Sequence, residues 1–166
     1  MKDPLLISVS GLAASGKSTF CNLLQNELRN RFSIESMQLS FARQLRIDTC
    51  KFIGDCGYDV WSDTHKEIFR PVLLWYGNVK RMTTKGKYFL DNTKEFFDQY
   101  KKRYDIFLLG DLRFKQFEYD ELDWCLSLGP VVHISKYIMV PDKEPGEDSY
   151  GEKCKEFDSP PNELEA

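Results

Sequence analysis

The stretch GLAASGKST, from Gly11 to Thr19, decides the fold of this chain. It follows the apolar run LLISVS (5–10), which is typical of a buried parallel strand. It leads into an amphipathic pattern from Lys17 to about Arg29, which predicts a helix. The stretch fits G-x-x-x-x-G-K-[ST], a pattern that is informative when a strand precedes it and a helix follows. We therefore predict a phosphate-binding loop at the end of a sheet strand.

The residue types of this loop suit a nucleotide and a metal ion. Gly11 and Gly16 permit backbone angles that turn successive N–H groups inward around a phosphate, at the positive end of the helix. Lys17 would reach the β- and γ-phosphates, and the Ser18 hydroxyl would complete the shell of a Mg²⁺ ion. The residues expected to bind ATP are Gly11, Ala13, Ala14, Ser15, Gly16, Lys17, Ser18 and Thr19.

Beyond the loop, strand and helix patterns alternate along the chain. They predict strands over 34–40, 105–111 and 131–135, and helices over 41–52, 61–82 and 117–128. Pro71 should kink or split the second of these helices. One face of the same helix is predicted to carry Trp61, His65, Ile68, Val72, Tyr76 and Val79. The alternation indicates an α/β fold of three layers, a P-loop NTPase fold in which helices flank a parallel sheet.

Composition favours one folded domain and a tail. Residues 137–166 carry nine acidic and three basic residues, which leaves 20 basic and 17 acidic residues in 1–136. We predict a folded domain over 1–136 and an acidic, mobile tail over 137–166. The small basic surplus of the domain suits small anions better than nucleic acid.

Cysteine content and hydropathy bear on location. The five cysteines are odd in number and form no CxxC pair, which favours reduced thiols and a cytoplasmic location. No export signal and no run of about 18 apolar residues is present, so no membrane partner is expected.

A phosphate acceptor beside the loop would need cations, because donor and acceptor are both negative. Asp111 ends the strand DIFLLGD, where its carboxylate would orient Mg²⁺ or its water ligands, and Arg113 follows two residues later. A structural salt bridge is the alternative for this pair. The other candidate cations are Arg43, Arg70 and Arg81, and a solvated surface position is the alternative for Arg43 and Arg70. The candidate stacking partners for a base are aromatic residues for which the core is the alternative, namely Phe41, Trp75, Tyr76 and Tyr88. The basic segment 77–88 is interpreted as a closing lid or as a solvated loop.

Four stretches together resemble the deoxynucleoside monophosphate kinases of tailed bacteriophages, a family within the P-loop nucleoside monophosphate kinase fold. They are GLAASGKST, SFARQLR (40–46), FRPVLLWYGNVKR running on to GKYF (69–89), and GDLRF (110–114). The last is similar to the family's Asp-Val-Arg-Phe signature. The resemblance spans roughly residues 5–135.

The resemblance implies transfer of the ATP γ-phosphate to a deoxynucleoside 5′-monophosphate, giving the diphosphate and ADP. Lys17, Asp111 and Arg113 would be catalytic, and Ser18 and Asp111 would serve Mg²⁺. The acceptor monophosphate would be bound by Phe41, Arg43, Arg70, Arg81, Tyr88 and Arg113. The partners would be small nucleotides, and the protein a monomer or homodimer in the host cytoplasm.

Two alternatives stay open at the level of sequence. A kinase of another small metabolite, of the dephospho-coenzyme A or sugar acid type, would share the loop and need a carboxylate base, for which Asp111 would serve. A nucleotide-dependent switch without an acceptor is less favoured, because a GTP switch would normally carry an Asn/Thr-Lys-x-Asp motif and the sequence has none.

Overall fold

A four-stranded parallel sheet forms the centre of the protein. The structure is a computed structural model that describes residues 3–62, 64–112, 118–119, 121–141 and 152–156. The sheet strands are β1 (Leu5–Ser10), β2 (Ser36–Leu39), β3 (Ile106–Leu109) and β4 (Val131–His133), in the order β2-β3-β1-β4. In the register of the central pair, Leu5 lies opposite Ile106 and Ser8 opposite Leu109. The carboxyl ends of the strands therefore share one edge of the sheet.

Five helices accompany the sheet and cover both of its faces. They are α1 (Lys17–Phe32), α2 (Ala42–Asp55), α3 (Lys66–Thr84), α4 (Lys87–Tyr100) and α5 (Glu121–Leu128). Because side chains alternate along a strand, Phe107 of β3 joins the cluster formed with α4 and α5, whereas Leu108 joins the cluster formed with α1. The result is an α/β fold with a parallel sheet between helices, as the sequence predicts.

Most predicted elements are confirmed, with shifted ends. The helix predicted over 61–82 begins at Lys66 and continues to Thr84, and Pro71 lies inside it without splitting it. The segment 77–88 is not a loop, since it consists of the end of α3, a turn at Lys85 and Gly86, and the start of α4. Its action as a closing lid stays a prediction. The sequence interpretation did not include α4.

Part of the predicted tail has regular structure. Strands β5 (Tyr137–Pro141) and β6 (Glu152–Glu156) pair antiparallel and form a separate two-stranded sheet. The other residues of 142–166 lie outside the described ranges, so the mobility of the tail stays a prediction. Within the described ranges, no helix has the length and apolar character that crossing a bilayer requires.

Candidate functional site

The loop between β1 and α1 has a backbone that requires its glycines. Gly11 and Gly16 have φ angles of 141° and 96°, in the region that favours glycine. A Cβ at Gly11 would lie 2.3 Å from the carbonyl oxygen of Ile134 and 2.9 Å from Ser15 Oγ. Ala14 also has a positive φ, of 59°. The loop therefore turns sharply at both ends, while the segment after β4 presses against its start.

The first turn of α1 is open toward the loop. Its N-cap is Gly16, which has no side chain to accept hydrogen bonds from the amides of Lys17, Ser18 and Thr19. Lys17 Nζ donates to the carbonyl oxygen of Gly11 at 2.7 Å and to that of Leu12. The ammonium group thus folds back across the loop and places a positive charge beside the helix N-terminus.

Three hydroxyl side chains belong to this loop and helix turn. Ser15 Oγ is buried and makes no hydrogen bond, whereas Ser18 and Thr19 are exposed. A buried hydroxyl without a partner costs free energy unless something else satisfies it. The loop therefore offers hydroxyl, amide and ammonium donors within a few residues, a set that suits phosphate oxygens.

Asp111 lies just after β3, and its carboxylate caps the N-terminus of α2. Oδ1 accepts a hydrogen bond from the Phe41 amide at 3.1 Å, and Oδ2 accepts from the Ala42 amide at 2.9 Å and the Ser40 hydroxyl at 2.6 Å. The residue thus supplies a helix cap from a distant part of the chain. The sequence interpretation missed this structural role, because no local pattern links positions 40–42 to position 111.

The Asp111 carboxylate also lies near the start of α1, which follows the loop of residues 11–19. Burial, with a smaller contribution from the Asp111 charge, raises the pKa of the Cys21 thiol. Cys21 is one turn beyond Lys17 on α1, and its Sγ would be 3.2 Å from a Cβ placed at Gly110. The structure therefore brings the loop, the start of α1 and Asp111 to the same edge of the sheet.

A small pocket lies between α2 and α4. Ser40, which bonds to Asp111, is part of its wall. The guanidinium carbon of Arg43 lies 4.1 Å from the centroid of the Phe96 ring, which holds that cation in the wall as well. The full lining is Leu39, Ser40, Arg43, Gln44, Asn92, Thr93 and Phe96.

Other predicted acceptor residues contact other parts of the protein, and their role toward an acceptor stays a prediction. Arg81 forms an ion pair with Glu121 at 2.7 Å, with side chains only 11% and 6% exposed. Arg70 pairs with Glu67 at 3.3 Å on the first turns of α3. Phe41 is 2% exposed and packs in the core against Trp124. The remaining predicted residue, Arg113, lies outside the described residues.

Tyr88 belongs to a polar cluster that the sequence interpretation missed. Asp48 on α2 accepts hydrogen bonds from the hydroxyls of Tyr88 at 2.8 Å and Tyr76 at 3.1 Å, and from Gln44 Nε2 at 2.6 Å. Burial and then the hydrogen bond to Asp48 raise the pKa of Tyr76 to about 12. Lys80 Nζ lies 4.6 Å from the centroid of the Tyr88 ring. The cluster ties α2, α3 and α4 together.

Comparison of the chain with protein-family models gives no match, and comparison with curated proteins gives no significant match. Within the described residues, no group of three or more His, Cys, Asp or Glu side chains is placed to hold a metal ion. The chemistry of the loop and of its surroundings is therefore the basis for the function proposed below.

Proposed function

We propose that this protein is an ATP-dependent kinase that transfers the γ-phosphate to a deoxynucleoside 5′-monophosphate, forming the diphosphate and ADP. The observation that carries the proposal is the loop of residues 11–19, which combines positive-φ glycines, the folded-back Lys17 ammonium and the N-terminus of α1. Such a loop after a central parallel strand is typical of P-loop nucleotide-binding proteins, and the resemblance in sequence adds the nucleoside monophosphate kinase reaction to the proposal.

The contrast between two helix N-termini supports nucleotide binding at α1. The N-terminus of α2 is filled by the chain's own carboxylate, Asp111. The N-cap residue of α1 is Gly16, so no side chain caps that helix. Helix N-termini attract anions, because the first amides lack acceptors and the helix dipole is positive there. An external phosphate would therefore supply to α1 what Asp111 supplies to α2.

The residues present fit a Mg²⁺ ion bound together with a nucleotide. The Ser18 hydroxyl is exposed on the first turn of α1, and a carboxylate has about four lone-pair sites, of which the α2 cap uses three at Asp111. Both are the hard oxygen ligands that Mg²⁺ prefers. When bound, the ion would neutralise charge on the β- and γ-phosphates. Lys17 would hold the same phosphates from the protein side.

The surroundings of Asp111 favour a phosphate acceptor over a hydroxyl acceptor. A hydroxyl needs a general base, and Asp111, which already accepts three hydrogen bonds, would have to act both as that base and as a Mg²⁺ ligand through its one remaining lone-pair site. A monophosphate oxygen is already ionised near neutral pH and needs positioning and cations only. We place the acceptor phosphate near Arg43, which lies on the first turn of α2, the helix whose N-terminus Asp111 caps.

Turnover measurements test the proposal directly. We expect ADP to form from Mg²⁺-ATP when deoxynucleoside monophosphates are offered, and not with dephospho-coenzyme A, small alcohols or water alone. Lys17→Ala should lower kcat/KM by about 10² or more, because it removes a charge that stabilises the transferring phosphate. The exposed turn residue Lys102 provides the matched control, Lys102→Ala, which should keep wild-type turnover. Absence of activity on every monophosphate would contradict the proposal.

A further inference from the structure

Two arginines on α2 have aromatic rings as partners. Arg43 and Arg46 are three residues apart, so their side chains leave the same face of the helix. The guanidinium carbon of Arg43 lies 4.1 Å from the centroid of the Phe96 ring, and that of Arg46 lies 5.5 Å from the centroid of the Trp61 ring. Within the part of the chain that the structure describes, neither guanidinium forms an ion pair, so no carboxylate there neutralises these two charges.

This arginine pair is suited to an anion. Like charges three residues apart on a helix repel each other, and an anion bound by both removes that repulsion. An aromatic ring covers one face of a guanidinium and leaves the N–H groups at its edge available for hydrogen bonds. Phosphate oxygens accept such hydrogen bonds in pairs from the fork of an arginine. The pair therefore offers a site for a phosphate group.

Trp61, the partner of Arg46, is fixed in position although its side chain is 52% exposed. Val60, directly before it, is only 3% exposed and belongs to an apolar cluster. The amide of Trp61 donates a hydrogen bond to Asp59 Oδ1 at 2.9 Å. An indole that is held in this way and still has exposed surface provides a platform on which a nucleobase can stack.

We propose that Arg43 and Arg46 together bind the phosphate of the acceptor monophosphate and that its base stacks on Trp61. The inference rests on the proposed kinase function and adds Arg46 and Trp61 to the acceptor site. Every base has a π-face, so stacking binds a base without reading its hydrogen-bonding edge. The site therefore binds nucleoside monophosphates of all four bases in preference to phosphorylated molecules that have no aromatic group.

The position of the site lets the phosphate face the loop of residues 11–19. Arg43 directly follows Ala42, whose amide donates to Asp111 at 2.9 Å. Asp111 comes just after β3, at the carboxyl edge of the sheet, and the loop follows β1 at the same edge. Arg46, which contacts the indole, lies about 4.5 Å further along α2. The phosphate of a nucleotide bound in this way is therefore nearer to the loop than its base, as transfer from ATP requires.

Isothermal titration calorimetry without ATP separates the two contacts. The probes are deoxyguanosine monophosphate and deoxyribose 5-phosphate, which has the same sugar and phosphate and no base. The wild type should bind the nucleotide about tenfold more tightly, because stacking adds to the phosphate contacts. Arg46→Gln should weaken binding of both probes about tenfold, since it removes charge-assisted hydrogen bonds to the phosphate. Trp61→Leu should weaken binding of the nucleotide alone, to about the affinity of the sugar phosphate.

Two exposed residues at the end of α1 provide matched controls on another helix. The Arg31 side chain is 73% exposed and Phe32 is 65% exposed, so Arg31→Gln and Phe32→Leu make the same kinds of change. Both variants should bind the two probes like the wild type. Unchanged binding of deoxyribose 5-phosphate by Trp61→Leu shows that this variant is folded, and circular dichroism shows the same for Arg46→Gln.

The outcomes separate this inference from the proposed function. A wild type that binds neither probe, or binds both equally, would overturn the base contact, and wild-type affinity in Arg46→Gln would overturn the phosphate contact. If monophosphates are phosphorylated and their KM is the same in the wild type and in both variants, the inference fails and the kinase proposal stands. If the probes bind as expected and no monophosphate is phosphorylated, the kinase proposal fails and the nucleotide site stands.

Discussion

At the scale of single residues, the Asp111 carboxylate has two effects: it caps α2 and it acts electrostatically on the start of α1. Its oxygens accept two amide hydrogen bonds at the start of α2 and one from Ser40, and its charge reaches the first turns of α1. The side chain therefore fixes Ser40 and the start of α2 relative to the loop of residues 11–19. Any contribution to Mg²⁺ binding would come from a group whose orientation is already set by the protein.

Replacing Asp111 should therefore affect stability in the absence of any ligand. We expect Asp111→Ala to lower the free energy of unfolding by about 1–3 kcal/mol, because two amides and a hydroxyl lose their acceptor. Asp111→Asn keeps one carbonyl oxygen and should lose less. Urea unfolding followed by circular dichroism measures both. Asp105→Ala, at an exposed position before β3, should be neutral. Equal stability of Asp111→Ala and the wild type would show that the cap contributes nothing.

At the scale of elements, the sequence predicts the features that depend on local spacing, and it does not predict the contacts between residues that are distant in the chain. The glycine loop, β1 and α1 follow from local spacing, and the structure has them where the sequence predicts. The caps and clusters between elements do not follow, because no period in the sequence relates Asp48 to Tyr76 and Tyr88, or Arg81 to Glu121. The sequence does not show whether an arginine binds an external anion or pairs with a buried carboxylate, because that depends on how the elements pack.

The ion pair between Arg81 on α3 and Glu121 on α5 is an example of such a buried contact. Its side chains are nearly buried, so Arg81→Met would leave a buried carboxylate without this partner and should cost about 3–5 kcal/mol in unfolding experiments. The double variant Arg81→Met/Glu121→Gln removes both charges and should recover much of that loss. If Arg81 instead binds the acceptor phosphate, the double variant will show a raised KM for the monophosphate despite its recovered stability.

At the scale of the whole molecule, the acidic residues are concentrated after Lys136. Strands β5 and β6, which belong to this segment, form a sheet of their own. Residues 137–166 also hold the acidic excess, nine acidic against three basic residues. The domain boundary at residue 136 that composition predicts stays a prediction.

Ending the chain after Lys136 should therefore leave the fold intact and strengthen attraction of anions. An isolated two-stranded hairpin adds little stability, so thermal unfolding should change by no more than about 4 °C. The remaining 20 basic and 17 acidic residues give a positive balance, so KM for ATP should fall at low ionic strength. It should return toward the full-length value near about 0.5 M salt, where screening removes long-range attraction.

A full-length variant with the nine tail acids changed to amides should reproduce the effect on KM. A large loss of thermal stability on truncation would instead make the tail a part of the domain, and a KM change that persists at high salt would assign the tail a direct contact with the nucleotide.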